Sequence, residues 1–449
     1  MVTVCLLTVK IMKIFEKKYI SELFRLALPI IMGNLGMLLL GTGDCLIGGR
    51  FSTSALAAIS IATSIHATVM MFAIGLTVSI SPLLSNLRGA NICTKKYFYP
   101  TIRFALVLAL IITFVTLAYI PVLRYLGFES ALLKNVQIFT FILAFSSFGA
   151  VLNVALKEFL QSYEIVFIPN LIMILSVILN LVLNYILVFG KFGIPQMGSA
   201  GIALATTFSR TVAALCLLWF CLSQFRFKNF SDINYYKQIF KIGLPISAAI
   251  MIEFLAFNYI AVLLGRVSGQ YAAAHNIIIV ICSAMFMIPM GISNALAVKV
   301  GYSNGAKNYH EMIKYMVNGA AVTLSFMTFT ALILFLYPSG LVAIFTTDRT
   351  LITMASPVML LVAAFQVSDG LQAVLGGIFK GLKKTGIVMS ANIIAYLFVS
   401  IMLGTYLGIV KKMYLFGCWA ALGISSFLLS IILLVCLIFI LKRLKTEYI

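Results

Sequence analysis

About twelve stretches of mostly apolar residues follow one another through this chain with little between them. They run roughly over 24–48, 55–82, 101–123, 136–160, 165–190, 198–223, 241–264, 272–298, 315–337, 351–378, 386–410 and 417–441. A helix needs ~20 such residues to cross the hydrocarbon core. Backbone amides in that core have no water to bond to, so spanning segments must be helices or closed barrels, and runs of this length are helices. With 62% hydrophobic residues, 10% charged residues and a mean hydropathy of +1.11, the chain has no stretch left for a soluble domain. The expected fold class is all-α and integral to the membrane, with twelve transmembrane helices.

The net charge of +20 suggests nucleic acid until its distribution is read. An even number of spans puts both termini on one side, and the connections there carry about 23 of the 32 Lys and Arg residues. Cytoplasmic loops collect basic residues, so both termini are expected in the cytoplasm of a multi-pass cell (inner) membrane protein. The basic excess is a topology signal, and no nucleic-acid partner is expected. The apolar run Val2–Val9 precedes the basic cluster and is too short for a signal peptide, so the first span is expected to act as an uncleaved insertion signal. The eight cysteines, including Cys5, have no metal-like spacing and read as apolar filler.

The chain repeats itself. A shift of 216 residues lays Phe24–Ile30 on Phe240–Ile246, Gly49-Arg50 on Gly265-Arg266, Gly75 on Gly291 and Gly89-Ala90 on Gly305-Ala306. Shifts of 219 and 220 lay Gly198 on Gly417, Phe145 on Phe365 and Phe159 on Phe379. Each half holds six spans, so the halves are parallel repeats, a construction that commonly places a substrate path between them. The expected domains are a cytoplasmic segment 1–23, a first lobe 24–224, a cytoplasmic linker 225–240, a second lobe 241–441 and a cytoplasmic tail 442–449. Pro29 and Pro245 stand at the start of their spans and fit a first helical turn.

Of the twelve acidic residues only Asp44, Glu253 and Asp369 fall well inside apolar spans. A carboxylate at mid-membrane costs at least ~2.5–3.5 kcal/mol, so such residues normally face a wet cavity and serve function. The three are not equivalent under the repeat: Glu253 falls on Met37, Asp44 on Ile260 and Asp369 on Gly149. Glu253 and Asp369 lie near the middle of their spans, where an arriving cation or proton balances the charge. Gln372 shares the helix face of Asp369 and can tune its polarity. Arg210, the one basic residue deep in a span, reaches either a cavity or an internal partner. His275 and His66 lack acidic neighbours in sequence, which favours packing or hydrogen bonding over metal binding. No metal is expected beyond transported Na+, and no cofactor. A Walker-type loop, a paired nucleophile and base, and a histidine cluster are all missing from the sequence, so an enzyme is not expected.

The run Gly243–Phe254, with Ala274–Ile277, Phe286–Ile292, Val300–Ala306 and Phe365–Gln372, resembles spans seven, eight and ten of the multidrug and toxic-compound extrusion (MATE) family. Gly43–Gly48 resembles its first span, and the likeness extends over about residues 20–442. The pairing of Glu253 with Asp369 resembles the NorM branch. The resemblance implies a secondary antiporter that exports small organic cations or drugs against inward Na+ or H+ by alternating access between two lobes. It implies coupling at Glu253 and Asp369 in the second lobe, and a further site at Asp44, Asn180, Asn184 and Thr206 in the first. Asn184 stands where some archaeal-type members carry a second Asp, which lowers the charge of that site. Phe365 stands where some NorM-like members carry Tyr, which removes one oxygen ligand.

Asn180 and Asn184 are spaced to share a helix face. With Asp44 and Thr206 they offer hard oxygens to Na+, or equally a hydrogen-bond network tying three helices together. Met37, Met251, Phe257, Met285, Phe286 and Phe365 are candidate substrate-lining residues, since aromatic faces and thioethers suit varied flat cations. The expected working unit is a monomer in the lipid bilayer. The alternative within transport is a lipid or lipid-linked oligosaccharide flippase of the wider superfamily.

Overall fold

A computed structural model describes residues 16–225 and 232–448. Val2–Val9, Cys5, Lys10, Lys13, Arg226, Lys228 and part of the linker lie outside the described residues. Twelve helices among the described residues are long and apolar enough to cross a membrane: α1 (Lys17–Phe51), α2 (Thr53–Gly89), α3 (Lys95–Tyr125), α4 (Ser130–Gln161), α5 (Phe167–Phe189), α6 (Ser199–Gln224), α7 (Ile233–Val267), α8 (Gly269–Gly305), α9 (Tyr309–Leu336), α10 (Arg349–Gly381), α11 (Thr385–Val410) and α12 (Tyr414–Leu444). Each coincides closely with one of the apolar runs. Outward faces stay apolar, with Phe114 72% and Trp219 73% exposed, as a protein solvated by lipid requires.

The duplication is visible in the local stereochemistry. Ser52 caps α2, its hydroxyl accepting from the Ala55 amide at 3.0 Å. Ser268, 216 residues on, caps α8 by accepting from the Gln270 amide at 3.2 Å. An oxygen at this position satisfies one of the first-turn amides that no helical carbonyl reaches. Two left-handed residues that end helices recur in register, Asn91 with Lys307 and Glu164 with Lys383. The fold is two parallel six-helix repeats, and the caps and turns were copied with the apolar faces.

The chain divides into two compact units, whose described residues are meant here. The first takes Met32–Leu84 and Ile92–Ser247; the second takes Met1–Ile31, Ser85–Asn91 and Ala248–Ile449. In the first unit α4 packs against α2, α3 and α6, and in the second α10 packs against α8, α9 and α12. The repeat-equivalent helices α4 and α10 are therefore the hubs of their units.

Pro29 and Pro245 do not occupy first turns. Both lie inside continuous helices, because α1 begins seven residues and α7 eight residues earlier than the apolar runs suggest. Polar and aromatic residues make up those added turns, and they are held by specific contacts. In the second unit Tyr19 of α1 meets Tyr315 of α9 edge-on at 4.9 Å, and Lys299 of α8 pairs with Glu22 at 3.2 Å. In the first unit Tyr235 of α7, the repeat counterpart of Tyr19, stacks on Tyr97 at 4.7 Å. Both helices change unit two residues beyond their prolines, after Ile31 and after Ser247. A proline inside a helix removes one backbone hydrogen bond and favours a bend.

The two hubs differ where it matters for function. Asp369 of α10 corresponds to Gly149 of α4, and a Cβ on Gly149 would stand 2.7 Å from the Arg210 backbone of α6. The first hub thus uses this position for close helix contact, and the second uses it to carry a charge. Gly149→Ala is expected to destabilise the protein by about 1–3 kcal/mol through overpacking, read as a lower thermal unfolding midpoint in detergent. An unchanged midpoint would show that α4 and α6 are not held this tightly.

Candidate functional site

Two polar centres lie among the spanning helices, one in each unit. In the first, Asp44 of α1 is 4% exposed. Its Oδ1 accepts from Asn184 Nδ2 at 2.6 Å, and its Oδ2 accepts from Thr206 Oγ1 at 3.1 Å. Asn180 completes the ring: its Oδ1 accepts from Asn184 Nδ2 at 3.1 Å, and its Nδ2 donates to Thr206 Oγ1 at 3.2 Å. The four residues singled out in sequence are brought together from α1, α5 and α6, and all are buried. The Oδ1 of Asn184 is buried without a hydrogen-bond partner, so the network retains one unused oxygen.

Arg210, one turn beyond Thr206 on α6, donates from Nη1 to Ser146 Oγ of α4 at 3.1 Å. It also interacts electrostatically with Asp44. It has an internal partner, one of the two possibilities the sequence leaves open. His66 of α2 is buried, with neither ring nitrogen hydrogen-bonded.

The second centre is built differently. Glu253 of α7 and Asp369 of α10 are only partly buried. Asp369 Oδ1 accepts from Gln372 Nε2 at 2.6 Å and at the limit of reach, 3.5 Å, from Ser426 Oγ of α12. Gln372 Nε2 also donates to the Tyr396 hydroxyl of α11 at 3.1 Å, and that hydroxyl lies 3.3 Å from Gln372 Oε1. Tyr396 also faces Glu253. The tyrosine is buried against Phe257 at 6.3 Å between ring centroids, and Phe257 meets Trp419 edge-on at 6.4 Å. His275 closes the cluster, its Nδ1 accepting from Trp419 Nε1 at 3.1 Å. This histidine has the packing and hydrogen-bonding role that its isolation in sequence favours.

The apolar candidates separate. Phe257 belongs to this aromatic wall. The sulfur of Met285 takes a hydrogen bond from Gln366 Nε2 at 3.7 Å. Met251 and Phe286 are half-buried, and Met37 is 46% exposed on α1. Phe365 packs directly on Gly423 of α12 and lines an apolar groove of about 650 Å3 between α10 and α12.

A buried carboxylate needs donors or a partner charge. Asp44 has two side-chain donors and sits in a closed network; Asp369 has one close donor and stays partly exposed. The first centre therefore satisfies its carboxylate with the protein's own side chains, and the second leaves its carboxylates less fully bonded.

The MatE family model matches residues 29–186 and 245–406, one segment in each half. The chain belongs to the MatE family. Among its relatives, the multidrug resistance protein NorM of Vibrio vulnificus (strain CMCP6) is 27% identical over 91% of this chain and 93% of its own. The probable multidrug resistance protein NorM of Xylella fastidiosa (strain Temecula1) is 30% identical over 89% of this chain and 87% of its own. Solved MATE structures share the fold. The eukaryotic MATE transporter AtDTX14 superposes with a TM-score of 0.85 at 19% identity, covering 96% of this chain and 99% of its own. A MATE in complex with MaL6 gives 0.87 at 18%, covering 95% and 97%.

Residues that none of the MATE-like motifs include complete the second centre. Tyr396, Trp419 and Ser426 carry no signal in single-sequence reading beyond Trp419 being one of only two tryptophans. Gln366, on which the sequence is silent, is buried and donates to Thr330 Oγ1 of α9 at 3.3 Å. In the first centre, Asn184→Ala is expected to cost about 1–3 kcal/mol by stripping the closest donor from a buried carboxylate. The measurement is thermal unfolding in detergent. Asn184→Ala with a wild-type midpoint would mean that the network contributes nothing to stability.

Proposed function

We propose that this chain is a secondary active antiporter that exports small organic cations from the cytoplasm in exchange for inward Na+ or H+. Transport proceeds by alternating access of its two lobes. The observation that carries this reading is the pair Glu253 and Asp369, two carboxylates on different helices of one unit, partly exposed and linked through shared polar side chains. A carboxylate pair in a water-reachable pocket of low polarity binds either a cation or protons, and the two compete for the same negative charge. Competition of that kind is the physical basis of exchange: the coupling ion evicts the substrate cation on one side, and the reverse happens on the other. The aromatic wall of Phe257, Tyr396 and Trp419 offers π faces to a flat cation.

The family membership and the NorM relatives, named for multidrug resistance, support the same assignment. Asp44 with Asn180, Asn184 and Thr206 forms an additional site in the first lobe. The protein works as a monomer in the cell (inner) membrane with both termini in the cytoplasm and uses no cofactor.

The test is transport of ethidium by the purified protein in liposomes under separately imposed Na+ and H+ gradients. Glu253→Gln combined with Asp369→Asn is expected to abolish gradient-driven movement while insertion and the unfolding profile remain. Unimpaired exchange by that double variant would remove the two acids from the mechanism. Loss only with Asp44→Asn would move coupling to the first lobe, and no gradient-driven movement by wild type would favour a flippase.

A further inference from the structure

The two acids of the second centre share a third group. Asp369 Oδ1 is joined to Gln372 Nε2 at 2.6 Å, and that nitrogen also donates to the Tyr396 hydroxyl at 3.1 Å. The phenol in turn faces Glu253. A single amide nitrogen thus serves both a carboxylate and a phenol, and the phenol keeps its own proton to give away. Two acceptors compete for that proton: Gln372 Oε1 at 3.3 Å and the Glu253 carboxylate.

The backbone supports the placement. Across Ile393–Ser400, with Tyr396 near the middle, α11 is wound as a π-helix. Its repeat counterpart α5 is α-helical throughout. π-winding is rare and concentrates at functional sites, because the wider turn re-aims side chains at the cost of good backbone geometry. The phenol it carries is 1% exposed, and its ring rests on Phe257. A tyrosine placed by an irregular helix turn and fixed on its ring face is aimed, and what it is aimed at is the space joining the two acids. Phe365, on the same helix face as Asp369, has no oxygen to offer and packs on Gly423.

We propose that Tyr396 is a positioning residue that, with Gln372, makes Glu253 and Asp369 respond to the coupling ion as one unit. This rests on the proposed function of those acids. When Glu253 is charged, the phenol donates to it, and the Gln372 amide nitrogen is fixed between Asp369 and the phenol oxygen. When Glu253 takes up a proton or a cation, the phenol proton turns to Gln372 Oε1. The amide then shifts its hold on Asp369, so ion uptake at one acid is felt at the other. The other charged or titratable groups acting on the pair are Lys380 of α10 on Glu253 and Cys282 of α8 on Asp369. His275 of α8 is engaged by Trp419.

The experiment uses the purified full chain in detergent with ethidium as the probe, its binding followed by fluorescence anisotropy. Bound ethidium is displaced by titrating Na+ at fixed pH and acid at fixed Na+. Wild type, Tyr396→Phe, Gln372→Met, Asp369→Asn and Glu253→Gln are compared, each checked for a cooperative unfolding transition. Wild type is expected to show a steep displacement curve for the ion that couples. Tyr396→Phe and Gln372→Met are both expected to need about tenfold more of that ion, the equivalent of one lost hydrogen bond. Their curves should also flatten as the two acids respond separately, whereas a merely structural loss would weaken ethidium binding without changing the slope. If Asp369→Asn abolishes displacement while Tyr396→Phe and Gln372→Met titrate like wild type, the inference is overturned and the proposed function stands. If Asp369→Asn and Glu253→Gln also titrate like wild type, the acids do not couple and both fall.

Discussion

A carboxylate that leaves water inside a bundle of apolar helices has to be given something to hold, and this fold answers that demand in two ways. Around Asp44 the answer is supplied by the protein itself. Asn184 and Thr206 each donate to one carboxylate oxygen, Asn180 braces both donors, and Arg210 contributes positive charge nearby. Around Asp369 the protein stops short of completing the shell: one close amide and one hydroxyl at the edge of reach. For the proposed exchange, that incomplete shell is what leaves room for a mobile cation. A site that satisfied both oxygens from its own side chains would have little affinity left to exchange.

The repeat explains why these two answers coexist in one chain. Duplication copied helix lengths, serine caps, left-handed turn residues and the hub helices α4 and α10. It did not copy the acids. Where α10 carries Asp369, α4 carries Gly149 against the Arg210 backbone, so the position was free to serve packing in one half and charge in the other. The same divergence separates α11, π-wound around Tyr396, from the regular α5 that supplies Asn180 and Asn184. A shared scaffold fixes where helices cross, and the side chains at those crossings were then free to specialise.

Much of this was legible in the residues. Twelve spans followed from the length of the apolar runs, because hydrocarbon thickness leaves a chain so little choice. The repeat followed from matched glycines and prolines, whose backbone roles resist substitution. Asp44 and its three partners came together as expected, since Asn180 and Asn184 lie one turn apart on a helix. The helix starts were less legible. The first turns of α1 and α7 are polar and aromatic, so the apolar runs began too late and put Pro29 and Pro245 in first turns. Their helical structure depends on tertiary contacts such as Tyr19 with Tyr315 and Tyr235 with Tyr97. Tyr396 was missed for a related reason. It belongs to an apolar run like any other, and only a π-turn, which has no signature in hydrophobic periodicity, directs it to the acids.

The placement of rigid and adaptable groups in the second centre suits what the proposed exchange needs. An ion site must keep its geometry while its occupant changes, so its reference points should not move with the ligand. Tyr396 meets that condition through Phe257, and Phe257 through Trp419, whose indole is in turn fixed by His275. The acids themselves stay partly exposed, and Met285 nearby is a flexible thioether touched by Gln366. A fixed phenol beside movable carboxylates lets a change of occupancy be registered as a change of hydrogen bonding rather than as loss of the pocket. The buried histidine holds the tryptophan, and through it the aromatic face against which the phenol keeps its aim.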